Sequence, residues 1–187
     1  MRASDFDILI VPRRGGAREG DWSSRWRAKL STARFAGPPD PAESDPGIWA
    51  KAIAAAAAEA ARPILFVGHG EGAAAIVHSA PTLSSADIGG AFLVAPPDSV
   101  SLERLGGGWT VSRRRLPWPS VVVASQNDPD GAFGAISALA AEWGAELIDA
   151  GLAGRIDEAS GHGPWPEGLM RLAGFLRSLG ATPSRLH

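Results

Sequence analysis

The residues whose spacing most clearly suggests chemistry are Gly68, Gly70 and Gly72. They end a short apolar run, Ile64-Leu65-Phe66-Val67, and open a helix-forming stretch, Ala73-Ala74-Ala75-Ile76-Val77. This Gly-x-Gly-x-Gly spacing has the frame of G-x-S-x-G, a sharp strand–turn–helix elbow that exposes an attacking Ser for acyl transfer. The small flanking residues let strand and helix approach closely. The central position here is Gly70, which has no side chain and cannot attack. Acyl transfer also needs a group that takes the nucleophile's proton, most often an imidazole. By residue type the candidates are His69 and His162. His69, beside the turn, is expected to bond backbone near the elbow. His162, beside Trp165, is expected to line a ligand pocket, where it could activate water directly with help from Glu71. Ser79, Ser99 and Ser125 have no elbow spacing around them, and His78 and His187 read as surface residues.

Gly68-x-Gly70-x-x-Ala73 also fits the dinucleotide fingerprint G-x-G-x-x-G/A. That fingerprint normally follows the first strand of its unit, and no acidic residue clearly ends the next strand here; Asp98 is the nearest. No nucleotide or other cofactor is therefore expected. No His/Asp/Glu cluster has metal-ligand spacing, and without Cys there is neither a disulfide, a catalytic thiolate nor a Cys-based zinc site.

A chain of 187 residues with 45% hydrophobic residues can build one full core, so a single domain over 1–187 is expected. The net charge of −2 gives no basic surface for nucleic acid or an anionic membrane. Residues 1–7 contain no apolar signal core, and the Ala-rich stretch 52–61 is too short and too weakly apolar to span a bilayer. A soluble, cytoplasmic protein is the expectation, with a small-molecule or protein ligand left open.

The elements that must position these residues alternate. Apolar runs at 6–11, 64–68, 91–95, 120–124 and 145–148 read as buried strands. Between them, Trp22, Trp26 and Leu30 share one helical face of 21–30, and Asp45-Pro46 caps a helix running to about Ala61. A helix follows the elbow. Another spans 130–143, with Phe133, Ile136, Leu139 and Ala140 on one side, and a last spans 166–179, with Leu169, Leu172 and Leu176 facing in. Residues 98–117, with Gly106-Gly107-Gly108 and Arg113-Arg114-Arg115, read as a surface excursion, a candidate small lid with a solvated Arg face. Such alternation implies right-handed crossovers and a mostly parallel sheet of about five strands in a three-layer α/β/α sandwich. Ligand sites in these sheets lie at the carboxyl ends of the strands.

Four blocks in order resemble a known family. They are Val11-Pro12 with Gly15-Gly16 and then Trp22 and Trp26; Val67-Gly68-His69-Gly70-Glu71-Gly72; residues 116–129, ending Ser125-Gln126-Asn127-Asp128-Pro129; and residues 154–168, including Gly154-Arg155-Ile156-Asp157 and Ser160-Gly161-His162-Gly163-Pro164-Trp165-Pro166. The chain resembles the small, lid-poor serine hydrolases of the α/β-hydrolase fold typified by retinoblastoma-binding protein nine and its bacterial relatives. The resemblance implies a minimal α/β-hydrolase fold, with Asp128 as the catalytic acid. It puts the nucleophile at Gly70 and the base at Arg155, so that only the acid is retained. It also sets Arg13 where the family prefers Gly, beside the oxyanion hole.

Glycine supplies no nucleophile, and arginine stays protonated at any working pH. The resemblance thus implies a pseudo-hydrolase kept for ligand or partner binding. The alternative is hydrolysis of small acyl esters or amides without a triad, through His162 or Glu71. Because acid and base positions are neighbours in this fold, an Asp128–Arg155 ion pair, extended to Glu71, is expected to plug the site. Backbone N–H groups at the start of the elbow helix, with Arg155, would then accept an anion. Arg13, Glu71, His162 and Trp165 are the expected ligand-lining residues.

Overall fold

A computed structural model describes residues 1–83 and 86–181; the His187 expectation lies outside them. Among the described residues six strands form one sheet: β1 (Asp7–Val11), β2 (Ala33–Phe35), β3 (Ile64–His69), β4 (Ile88–Val94), β5 (Ser120–Ala124) and β6 (Glu146–Asp149). Their order is β2-β1-β3-β4-β5-β6, and every neighbouring pair is parallel. All of β1, β3 and β5 is buried, as a parallel sheet covered on both faces requires. The helices are α1 (Trp22–Lys29), α2 (Pro46–Ala58), α3 (Glu71–Ser79), α4 (Ser99–Leu105), α5 (Phe133–Trp143) and α6 (Pro166–Ala181).

Alternate strand residues point to opposite faces, and two cores result. On one side Leu9, Phe66, Leu93 and Val122 pack with Trp49, Ile53, Ile76 and Ile136 from α2, α3 and α5. On the other, Ile8, Ile10, Val67, Phe92 and Val123 pack with Trp22 and Trp26 of α1 and Leu172 and Phe175 of α6. Trp165 stacks on Trp26 at 5.7 Å and lies 5.3 Å from Trp22, so these indoles form one aromatic block under the sheet.

The three-layer α/β/α architecture is as expected, with two corrections. The sheet has six strands rather than about five, because β2 adds a short edge. Residues 98–117 are not a free lid: α4 lies within them, capped by the Asp98 carboxylate on the Ser101 N–H, and Leu102, Trp109 and Leu116 are buried. The Arg113–Arg115 face is exposed, with Arg113 paired to Glu142. Among the described residues no helix is long and apolar enough to cross a membrane.

Candidate functional site

The carboxyl ends of β1, β3, β4, β5 and β6 converge on the turn after β3. Gly70 adopts φ 55°, ψ −124° there, a left-handed conformation that β-carbon sterics make costly for other residues. Its N–H donates to the Val94 carbonyl, and its own carbonyl accepts from Ala73 and Ala74 to start α3. Gly72 is needed for a different reason. A β-carbon there would strike the Val11 and Pro12 carbonyls, so α3 can sit against the end of β1 only as glycine. The strand–turn–helix elbow read from the sequence is present in full.

Around Gly70 lies a cavity of about 10 Å³, room for roughly one water. Its lining includes Arg13, Gly70, Glu71, Asp128, Asp130 and Arg155. The expected Asp128–Arg155 plug is not what forms. Arg155 Nε donates to Asp130 Oδ2 at 2.5 Å, and no ion pair joins it to Asp128. The physical reason is solvation. The Arg155 and Asp130 side chains are 43% and 42% exposed, so both charges stay partly in water. Pairing with the deeper Asp128 would strip the guanidinium of more solvent than the attraction returns.

Asp128 accepts the Asp130 N–H at 2.9 Å and, among the described residues, has no ion-pair partner. Burial pushes its carboxyl up to about 6, and the neighbouring Asp130 charge adds to this against the pull of the Asp130 N–H, Arg155 and Arg13. Glu71 does not extend an ion-pair plug either. Its carboxylate accepts the Arg14 backbone N–H at 3.1 Å. That N–H belongs to the loop after β1, so Glu71 ties the start of α3 to that loop.

His69 is buried, and its Nε2–H donates to the Arg155 carbonyl at 2.9 Å, which sets the tautomer. Burial lowers its pKa, so the ring is neutral and works as a strut between the elbow and the loop after β6. That loop holds Ile156 at φ 52°. Its side chain is fully buried, and its carbonyl accepts the Trp22 indole N–H at 2.8 Å. A β-branched residue in this region is a true outlier, sustained by what surrounds it.

The remaining expected ligand residues fall elsewhere. Trp165 is buried in the aromatic block and, with His162, Pro164, Glu167 and Arg171, borders a different cavity of about 360 Å³. Neither lines the elbow cavity, because the segment 158–163 turns away from it through a short 3₁₀ turn over Glu158–Ser160. Arg13 does line it, but its Nη1 donates to Asp157 Oδ2 at 2.5 Å. Burial pushes Asp157 up; the Ser160 N–H and hydroxyl, with Arg13, outweigh that and hold it below the usual carboxylate range. Asp130 and Asp157, the two carboxylates that hold the arginines, were not singled out from sequence. Their only signal was position at the ends of β5 and β6. Among the described residues no group of His, Asp and Glu is placed to hold a metal ion.

A six-stranded parallel sheet, flanking helices and an elbow at the end of β3 define an α/β-hydrolase fold. The serine hydrolase family model matches residues 8–174, and the chain belongs to that family. Among solved structures it is similar to a YdeN-like hydrolase from Pectobacterium atrosepticum, with 29% identity, 95% of this chain and 94% of that one covered, and a TM-score of 0.86. It is also similar to the ydeN gene product of B. subtilis (19% identity, 92% and 99% covered, TM-score 0.74) and to esterase 2 of Thermogutta terrifontis (18% identity, 96% and 86% covered, TM-score 0.64). No curated protein matches the chain.

Proposed function

We propose that this member of the serine hydrolase family has no triad catalysis, its nucleophile and base having been replaced by Gly70 and Arg155, and that the scaffold serves to bind a small ligand or a protein partner. The observation that carries this reading is the elbow. Gly70 holds the φ 55° turn that would present a nucleophile, and has no side chain to present. Arg155 cannot take a proton, and its guanidinium is engaged by Asp130. Asp128 fits the role of acid, but a triad acid works by orienting a base. In a serine protease, loss of nucleophile or base alone lowers turnover roughly a million-fold, about 8 kcal/mol, and loss of the second adds little.

The second reading, hydrolysis of small esters or amides through His162 or Glu71, has less support. His162 opens on another cavity, and the Glu71 carboxylate is taken up by the Arg14 N–H. A fluorophosphonate probe together with a panel of p-nitrophenyl esters tests both. The expected result is no labelling and hydrolysis at the buffer rate. Labelling of the unaltered chain overturns the proposal. Ester turnover that collapses in His162→Ala or Glu71→Gln establishes the second reading in its place.

A further inference from the structure

Arg13 occupies an unusual place. It is a common wall of the elbow cavity and of two larger grooves, of about 360 Å³ and about 310 Å³, that flank it. The larger groove is polar, with Arg14, Arg18 and Glu158; the other is apolar, with Pro12, Phe35, Pro38 and Trp49. A β-carbon built on Gly70 would meet the Arg13 β-carbon at 3.2 Å, closer than ordinary contact. Arg13 cannot easily give way. Its far end is tied to Asp157, whose side chain is only 10% exposed and whose other oxygen accepts the Ser160 N–H at 2.9 Å. The Arg13–Asp157 pair is therefore deeper and more constrained than the rim pair of Arg155 with Asp130.

Resting on the reading above, we infer that Arg13 is a third closing element of the site: latched to Asp157, it crowds a β-carbon at position 70 and stands between the elbow and the flanking grooves. A hydroxyl and an imidazole restored at positions 70 and 155 then react more slowly while Arg13 stays. Arg13→Gly removes both the β-carbon and the guanidinium, and so the wall that the elbow shares with the apolar groove. Arg13→Ala removes the latch but keeps the β-carbon.

The test has two independent arms. In the Gly70→Ser/Arg155→His background, fluorophosphonate labelling is measured with Arg13 intact, with Arg13→Ala and with Arg13→Gly. In the labelling step the introduced hydroxyl oxygen bonds to phosphorus, its proton passes to the introduced imidazole, and the P–F bond breaks to release fluoride. Labelling at least about tenfold faster with Arg13→Gly than with Arg13 is expected, with Arg13→Ala, which frees the latch but keeps the β-carbon, falling between the two; a tenfold change is about 1.4 kcal/mol in barrier. Equal labelling of the intact and Arg13→Gly backgrounds overturns the inference.

The second arm needs no catalysis. Gly70→Ala is expected to lower Tm by roughly 5–8 °C while Arg13 is present, from backbone strain plus the contact. In an Arg13→Gly background the same change is expected to lower it by at least about 2 °C less. The strain and the loss of the Asp157 partner are common to both sides of the cycle and cancel. An additive cycle overturns the inference. Neither arm depends on the unaltered chain being inactive, which its own labelling decides.

Discussion

The turn after β3 places Gly70, and the loop after β6 places Ile156, at nearly the same positive φ close to one cavity, and the two residue types are opposite. Gly70 at φ 55° meets almost no penalty. Ile156 at φ 52° carries a β-branched side chain where such residues are rarely found. The difference follows from what each side chain would face. A residue at position 70 points at the cavity and at Arg13, and nothing packs there to repay strain. The Ile156 side chain points into the core beneath α1 and α6, where burial and the Trp22 hydrogen bond outweigh it. The backbone that shapes the site is thus held from behind by the core, while the side chains that face the cavity are free to differ. Under the proposed function, this is why the geometry of a hydrolase persists without its chemistry.

The largest expected effect comes from emptying the Ile156 position. Ile156→Ala loses a buried side chain and keeps the strained φ, so it should destabilise by about 2–4 kcal/mol in urea unfolding. Ile156→Gly loses the same burial and relieves the strain. It should be more stable than the Ala variant by about 1 kcal/mol, reversing the usual order of Ala over Gly. If Ala proves the more stable, the loop holds no strain and the contrast with Gly70 fails. A smaller effect sharpens the same contrast. Trp22→Phe keeps most of the aromatic packing but leaves the Ile156 carbonyl without its indole donor, at an expected loss of about 1–2 kcal/mol. An unchanged midpoint would mean that burial alone holds the loop.

Much of the fold was legible because parallel strands buried on both faces read as unbroken apolar runs. β3 and its turn were the clearest, since the glycine spacing follows such a run directly. β2 was missed for a physical reason: Ala33–Phe35 is a three-residue edge strand, only partly buried, held by pairing with β1 rather than by a pattern of its own. α4 was hidden between Pro97 and the glycines at 106–108. In the site, the arginine at 155 was visible in sequence but its partner was not. Asp128 and Asp130 are two residues apart, and choosing between them requires knowing which one keeps its water. His162 and Trp165 border one cavity, but their adjacency in sequence does not say that it lies apart from the elbow. Arg13 stood out as a departure from the family pattern, yet its contact with position 70 and its latch to Asp157 depend on the fold.

The smallest expected effect concerns the carboxylate that the arginines leave alone. Asp128 has its pKa raised to about 6 in the folded protein, by burial first and the Asp130 charge next, against an ordinary value of 3.8. A carboxyl that binds its proton more tightly when folded is most favourable below the unfolded pKa. Its contribution falls as pH rises from about 4 to 6, and above that it is a constant penalty. Asp128→Asn keeps an oxygen to accept the Asp130 N–H and removes the ionisation. It should therefore raise stability by about 1 kcal/mol at pH 7.5, a figure reduced from the full shift because the group is partly solvated. The gain should shrink toward zero by pH 4. Arg155→Gln in the same protein should enlarge the gain, since it removes a positive charge that now favours the ionised form. A gain that is flat with pH would mean that Asp128 is as well solvated as a surface carboxylate, and that the arginine at 155 screens it after all.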